Sequence, residues 1–447
     1  MKMNTAVARA PKLTHEGAVA YQHTNPTQDL QRSVMACLLW EDTFYESGVS
    51  IAQRISELVP LVSAESVSKM AIEAREKMKL RHVPLLLACE MAKLKTHRHV
   101  VANTVEKIIQ RADELSEIFA IYGRERTGTK KLNKLSKQLQ KGVARAFRKF
   151  NEYQLAKYNR NGAVKLRDAL FLCHAKPKDA EQADLWKRLV EGKLAIPDTW
   201  EVSLSATKGE GKKEAWERLL AEDKLGALAL LRNLRNMKEA GVTETLLRKS
   251  LLSMKTERVL PFRFVAAAKY AQNWEPELEQ GMYRCLEGQD KLQGKTVIVV
   301  DNSGSMDGTK VSARSEMDRS DAACALAILV REVCENVAVI GFGSEAKLLP
   351  SRRGFALRDV IKAGPGGGTN TDYALALAQS EGYDRIIVIT DEQSHQAIRN
   401  PSYNGMPKKG YFINVASNQN GIGYGLWTHI DGWSEAVIDY IRATEAA

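Results

Sequence analysis

The sequence predicts a chain in two parts. Residues 1–292 read as an all-α segment of repeated helices, and residues 293–447 as an α/β domain with a doubly wound, mostly parallel sheet. Three observations carry this expectation. Apolar residues recur at helical spacing throughout the first part, with almost no strand-like alternation. In the second part short apolar runs alternate with helical patterns. Glycine and charge change at the same point. Fourteen of the 30 glycines lie in residues 1–295, and 16 lie in the shorter remainder. Residues 1–295 carry 51 Lys and Arg against 36 Asp and Glu, whereas residues 296–447 carry 14 against 18.

The helical pattern appears over 33–40, 51–59, 65–79, 83–94, 101–122, 132–158, 163–174, 181–190, 213–221, 223–238, 242–254, 261–272 and 276–292. Ser63 and Ser66 suit a helix start before the 67–79 stretch, and Pro84 and Pro276 suit first-turn positions. The triplet VSL at 202–204 is the one weak strand candidate. So many helices joined by short loops imply stacked pairs that bury a continuous core between neighbours. No strict period is visible, so the repeats are degenerate and HEAT-like.

Composition narrows the class further. At 447 residues, 44% hydrophobic and 27% charged, the chain is globular and too long for one core. No apolar run approaches the roughly 18 residues needed to span a bilayer; the longest, Ala322 to Val330, is nine. The six cysteines are scattered without a CxxC pair and read as reduced, mostly buried thiols. The N-terminus shows no apolar signal region, so a cytoplasmic protein without membrane association is expected. The net charge of +11 belongs to the helical part and favours a polyanionic partner, nucleic acid being the usual candidate.

One stretch concentrates that charge. Lys130, Lys134, Lys137, Lys141, Arg145 and Arg148 share one helical face, opposite Leu132, Leu135, Leu139, Val143, Phe147 and Phe150. A continuous helix would make this a cationic rail roughly 27 Å long. Like charges one turn apart repel, and phosphates would relieve that repulsion while releasing counterions. A solvated, solubilising face is the alternative. A second basic stretch follows, KYNRNG at 157–162 and CHAKPK at 173–178.

The second part opens with TVIVVD (296–301), a buried strand that runs into a DxSxS loop: Asp301, Ser303 and Ser305. Further strands are expected at 337–342, 385–391 and 411–416, with helices at 319–335, 372–380 and 433–443. In such sheets ligands bind at the carboxyl ends of the strands. Asp301 stands at one such end and Asp391 at another, with Thr369 offered by the loop GPGGGTNTD (364–372). Two carboxylates and three hydroxyls are hard oxygen donors, a set that suits Mg²⁺ and leaves a position open to an anion. The segment GQDKLQGKT (288–296) imitates a P-loop, but its spacing is one residue too long and its strand follows the GKT instead of preceding it.

The DxSxS loop, Thr369 and Asp391 together resemble a von Willebrand factor A domain with a metal-ion-dependent adhesion site. The resemblance implies that Asp301, Ser303, Ser305, Thr369 and Asp391 ligate a divalent metal. A basic helical region followed by such a domain resembles the Ro autoantigen (TROVE-domain) family. EGAVAYQ (16–22), LQRSVMACLLWEDTFYESG (30–48), GVARAFRKF (142–150), KYNRNG and LRDALFLCHAKPK (166–178) carry this second resemblance. It implies a monomeric ring of HEAT-like helices closed by the A domain. Single-stranded 3′ ends of misfolded noncoding RNA would enter the hole. A Y or Y-like RNA would bind the outer face through Lys157, Arg160 and His174. An exoribonuclease or another protein could dock through the A domain. The expected function is RNA quality control without catalysis. Two other readings remain: a metal-dependent protein-interaction adaptor working through the A domain, and a nuclease using the Asp301/Asp391 metal with Asp372 and Glu392 nearby.

Overall fold

The structure, a computed structural model, describes residues 26–35, 48–78, 80–123, 135–196, 199–205, 211–256, 259, 261–311, 317–394, 402–403, 406–407, 409–416, 421–422, 427–431 and 436–445. The helical part begins with α1 (Pro26–Met35), α2 (Gly48–Leu58), α3 (Ala64–Glu76), α4 (His82–Lys93), α5 (Arg98–Ile108), α6 (Glu114–Gly123), α7 (Lys137–Phe147), α8 (Glu152–Tyr158), α9 (Leu166–Leu172) and α10 (Ala180–Glu191). It continues with α11 (Trp200–Ser205), α12 (Gly211–Ala221), α13 (Ala227–Glu239), α14 (Glu244–Ser253), α15 (Phe262–Ala268) and α16 (Glu275–Arg284). Ser63 caps α3 by accepting the Ser66 N–H, and Pro276 sits in the first turn of α16, as their side chains dictate.

Three sequence expectations are corrected here. The stretch 101–122 is broken into α5 and α6. The carboxylate of Glu114 accepts the backbone N–H groups of Gln110 and Arg111 at 2.8 and 2.9 Å and binds Arg75 of α3 at 2.6 Å, which holds a corner between the two helices. The stretch 132–158 is likewise broken, because Asn151 and Gln154 form a reciprocal capping box that starts α8 afresh. The VSL triplet lies inside α11 and is not a strand. Each break comes from a polar side chain answering backbone groups, which apolar periodicity does not register.

The helices α1–α10 share one core, built from residues such as Ile55, Leu87, Phe119 and Phe147. Packing is closest between α5 and α7. A Cβ on Gly142 would sit 2.6 Å from the Val105 Cβ and 2.8 Å from the Ala102 carbonyl oxygen, so only glycine permits this approach. A second core runs from α12 to α16 and on into the α/β domain without interruption.

That domain comprises β1 (Leu292–Asp301), α17 (Arg319–Val333), β2 (Cys334–Phe342), β3 (Ala346–Leu348), α18 (Gly354–Lys362), α19 (Thr371–Glu381), β4 (Arg385–Thr390), β5 (Ser402–Tyr403), β6 (Met406–Pro407), β7 (Lys409–Asn414), β8 (Thr428–Asp431) and α20 (Ala436–Glu445). Its six-stranded sheet has the order β3-β2-β1-β4-β7-β8, parallel throughout except for the edge strand β3. Helices cover both faces: α17 and α20 belong to the core shared with the helical part, and α19 packs on the other side. The chain reverses direction across the sheet between β1 and β4, which places the ligand-binding crevice at the carboxyl ends of those strands.

The helical part meets this domain twice. At its near end α15 packs on α17 and α16 on α18, with ion pairs from Lys269 to Asp321 at 2.7 Å and from Arg358 to Glu275 at 2.9 Å. At its far end α1 packs on β8, the edge strand of the sheet. Among the described residues the helical part therefore touches the α/β domain at two places, through α15 and α16 and through α1.

Replacing Gly142 by Val should separate α5 from α7 and lower the unfolding free energy by about 1–3 kcal/mol, the usual cost of overpacking. Denaturant titration followed by circular dichroism checks this, and an unchanged midpoint would refute the close-approach argument.

Candidate functional site

The carboxyl ends of β1 and β4 bring two carboxylates into the protein interior. Asp301 ends β1 and Asp391 directly follows β4, and both are essentially without solvent contact. Asp301 accepts the Ser303 N–H at 2.8 Å through one oxygen and the Thr390 hydroxyl at 2.5 Å through the other. The Ser303 and Ser305 hydroxyls are 3.2 Å apart. Burial, and then the neighbouring negative charge of Asp391, push the Asp301 carboxyl up to about 7.

The loop carrying Thr369 is tied to the same place by backbone bonds. Ser344 N–H donates to the Gly366 carbonyl at 3.0 Å, Gly304 N–H to Gly367 at 2.9 Å, and Asn370 N–H to Gly343 at 2.8 Å. A Cβ on Gly343 would lie 2.4 Å from the Gly366 oxygen, so the β2 loop must be glycine there for the two backbones to meet. Thr369 is buried, and the Ser394 hydroxyl donates to its carbonyl at 3.5 Å. Asp301 at the end of β1, and Ser303, Ser305, Thr369 and Asp391 in the adjoining loops, thus all lie at one end of the sheet.

Sequence reasoning missed Arg319. Its guanidinium is buried at the start of α17, donates to Asp391 at 3.0 Å and to the Ser305 carbonyl at 3.2 Å, and so supplies a fixed positive charge inside the site. Asp318 and Asp321 form the capping box that starts α17 around it. Nothing local marks Arg319, because its partners lie 72 and 14 residues away in the chain. The two further acids near the site turn elsewhere. Asp372 is exposed in the first turn of α19, and the buried Glu392 pairs with His429 of β8.

The donor chemistry fits a hard cation: two buried carboxylates, one of them resisting ionisation beside the other, with three hydroxyl-bearing residues around them. Among the described residues no group of three or more His, Cys, Asp or Glu side chains is placed to hold a metal, so any such site must draw on hydroxyls.

A second surface lies on the helical part. Lys137, Lys141, Arg145 and Arg148 are all exposed along α7 and its C-cap, opposite the buried Leu139, Val143 and Phe147. Lys130 and Lys134 lie outside the described residues. The described part of the row, Lys137 to Arg148, spans about 16 Å of helix. Arg145 is 3.4 Å from Glu106, and Arg148 donates to the Lys176 carbonyl at 3.1 Å. That last bond joins the α7 row to the second basic stretch, which the sequence left separate. Lys157 is half-buried in the last turn of α8, its ammonium 5.9 Å above the Tyr158 ring; Arg160 is exposed in the following loop, and His174 is exposed just beyond α9. Among the described residues no helix is long and apolar enough to cross a membrane.

The fold and the two surfaces define a helical-repeat chain fused to a von Willebrand factor type A domain. The family model described as the TROVE domain matches residues 13–192 and 186–324, and that of the von Willebrand factor type A domain matches residues 296–393. The chain belongs to the TROVE-domain family of RNA-binding proteins. The crystal structure of the Deinococcus radiodurans RO (RSR) protein is similar over 94% of this chain and 99% of that one, with a TM-score of 0.62 and 18% sequence identity. A comparison with curated proteins found no match.

Removing the Arg319 charge strands buried carboxylates, so Arg319→Met should cost about 3–5 kcal/mol in the absence of divalent metal. The double variant Arg319→Met/Asp391→Asn should recover part of that loss. Thermal unfolding of the single and double variants measures the coupling, and strictly additive effects would exclude it.

Proposed function

We propose that this protein handles noncoding RNA through its cationic helical surface, taking unpaired 3′ ends of misfolded RNA within the closed path of helices. A Y or Y-like RNA occupies the outer face, with Lys157, Arg160 and His174 among its contacts. The observation that carries this reading is the exposed row Lys137, Lys141, Arg145 and Arg148, continued by the bond from Arg148 to Lys176. Such a row attracts phosphates by charge and counterion release and carries no sequence code. Selection then falls to the shape and the free end of the RNA. That suits a quality-control role, because the deep major groove of A-form RNA is closed to side chains.

The α/β domain serves as a metal-dependent docking module in this reading. Asp301, Ser303, Ser305, Thr369 and Asp391 would hold a divalent cation, Mg²⁺ by donor type, whose positive charge would attract an acidic group of a protein partner. An exoribonuclease is one such partner. Arg319 neutralises Asp391 and fixes its orientation, whereas the Thr390 hydroxyl orients Asp301 without supplying charge. We assign no catalytic role. Two-metal phosphodiester cleavage draws on more carboxylates than this site gathers, since Asp372 faces solvent and Glu392 engages His429.

A structured RNA with a 3′ single-stranded tail should bind more tightly than the same RNA without it, and should be recovered intact after incubation with Mg²⁺; equal affinities would refute end selection. Changing Lys137, Lys141, Arg145 and Arg148 to Gln should flatten the salt dependence by about 0.7–0.9 logarithmic units for each phosphate the row no longer neutralises. An unaltered slope, read by filter binding across salt, would remove the row from the interface.

Mg²⁺ should raise the melting temperature of the intact protein, and chelation should reverse the rise. The shift should vanish in Asp301→Ala. A shift that persists there would place the metal elsewhere.

A further inference from the structure

The C-terminal end of α9 carries an exposed aromatic side chain beside the cationic row of α7. Leu166, Ala169 and Leu170 face the core, while Arg167, Phe171 and His174 follow one another at spacings of four and three, all exposed. Phe171 is 61% exposed. A lone exposed apolar residue is ordinary; the setting of this one is not. His174 takes the left-handed backbone conformation, φ 51°, and its N–H donates to the Phe171 carbonyl at 3.1 Å. The helix therefore stops there with both rings at the surface. Gln140 of α7 donates to the Leu172 carbonyl at 2.8 Å, and Arg148 donates to Lys176 at 3.1 Å. These bonds set the end of α9 beside the α7 row. Carboxylates enter this surface as partners of single cations: Asp168 at 3.4 Å from Arg167, Glu106 at 3.4 Å from Arg145, and Asp179 at 3.6 Å from Lys178. The cations of α7, α9 and the 173–178 stretch outnumber them.

We propose that Phe171 is a stacking platform for one unpaired base of an RNA whose phosphates lie on the neighbouring lysines and arginines. This rests on the reading of the same face as an RNA surface and adds a structural preference to it. A cationic field alone draws any polyanion, duplex or not. An aromatic ring beside that field is engaged only by a ligand that also presents a flat π-face. In a duplex those faces are stacked on one another, and a bulge, loop or frayed end frees one. Because every base has such a face, the preference is for unpaired nucleotides and not for a sequence. An acidic protein segment would satisfy the charges but would give the ring no π-face to stack on.

The test uses the full-length protein with two probes, a blunt RNA duplex and the same duplex with a single bulged 2-aminopurine. Phe171→Ala should weaken binding of the bulged probe by about fivefold to a hundredfold, leave the blunt duplex unaffected and leave the salt dependence unchanged. Phe171→Trp should restore affinity and quench the 2-aminopurine fluorescence on binding. An exposed side chain has little role in folding, so both variants should melt with the parent protein. A third variant, Lys137→Gln/Lys141→Gln, separates the two claims. If it weakens both probes while Phe171→Ala changes neither, or changes both equally, the stacking platform is overturned and the RNA surface stands. If it leaves both probes unaffected, the RNA surface fails and the platform with it.

Discussion

Helix α17 has no polar face, and the architecture follows from that. From Ala322 to Val330 every residue is buried. A helix apolar on all sides needs cover on all sides. The sheet and α20 supply one side; α15 and α18 supply another. The last helices of the TROVE domain are thus part of the wall that keeps α17 dry, and the two domains share one core instead of meeting at a polar interface. Relative domain motion is the usual expectation for fused modules, but here such motion would expose that apolar helix. The polar groups of α17 are confined to its ends. Asp321 is desolvated, yet Lys269 and Lys362 hold its carboxyl below the usual range. One turn of helix therefore carries both the ion pairs of the domain junction and, through Arg319, the counter-charge of the oxygen-donor site.

That site is costly to build, and its layout shows how the cost is offset. Two carboxylates buried side by side repel, and desolvation alone disfavours each. The fold answers with donors of graded strength: the Ser303 N–H and Thr390 hydroxyl on Asp301, and a full guanidinium on Asp391. The asymmetry gives the two aspartates different characters. Asp391 has a permanent cationic partner, whereas Asp301 has only neutral donors and is pushed up to about 7. A cation arriving at the site would find Asp301 as the carboxylate whose charge is least compensated.

Much of this was legible in the sequence because it is local or periodic. The strand ending in Asp301, the strand preceding Asp391 and the glycine loop with Thr369 follow from apolar runs and turn residues read a few positions at a time. The α7 face was legible for the same reason, since Lys137, Lys141, Arg145 and Arg148 recur with the helix. What escaped was set by side chains acting across long separations. Glu114, which breaks the helical stretch at 109–113 by accepting the Gln110 and Arg111 N–H groups, is held there by Arg75, 39 residues away. Arg319 reaches Asp391, and Arg148 reaches Lys176, by contacts that exist only once the chain is packed. The strand β8 and the helix α18 were also missed. Four residues of strand are too short for periodicity to separate from loop.

The contact of α1 with β8 bears on how RNA is chosen. A curved stack of helices with free ends would admit a strand from the side, at any point along an RNA. In the proposed reading, a stack that returns to the α/β domain through α1 would be entered lengthwise, by an end. The α7 and α9 surface has no such condition, because it lies open to solvent and can meet an RNA anywhere along its length. The two proposed modes would therefore ask different things of one molecule: a free unpaired end for the interior, and phosphates in reach of a basic ledge for the exterior. On that proposal an RNA offering both would be held twice by a single chain, the second contact forming at the raised effective concentration set by the first. An RNA offering phosphates alone is held at the ledge and covers it. Selectivity of this kind needs no base readout, only a closed contour and an exposed cationic face on the same molecule.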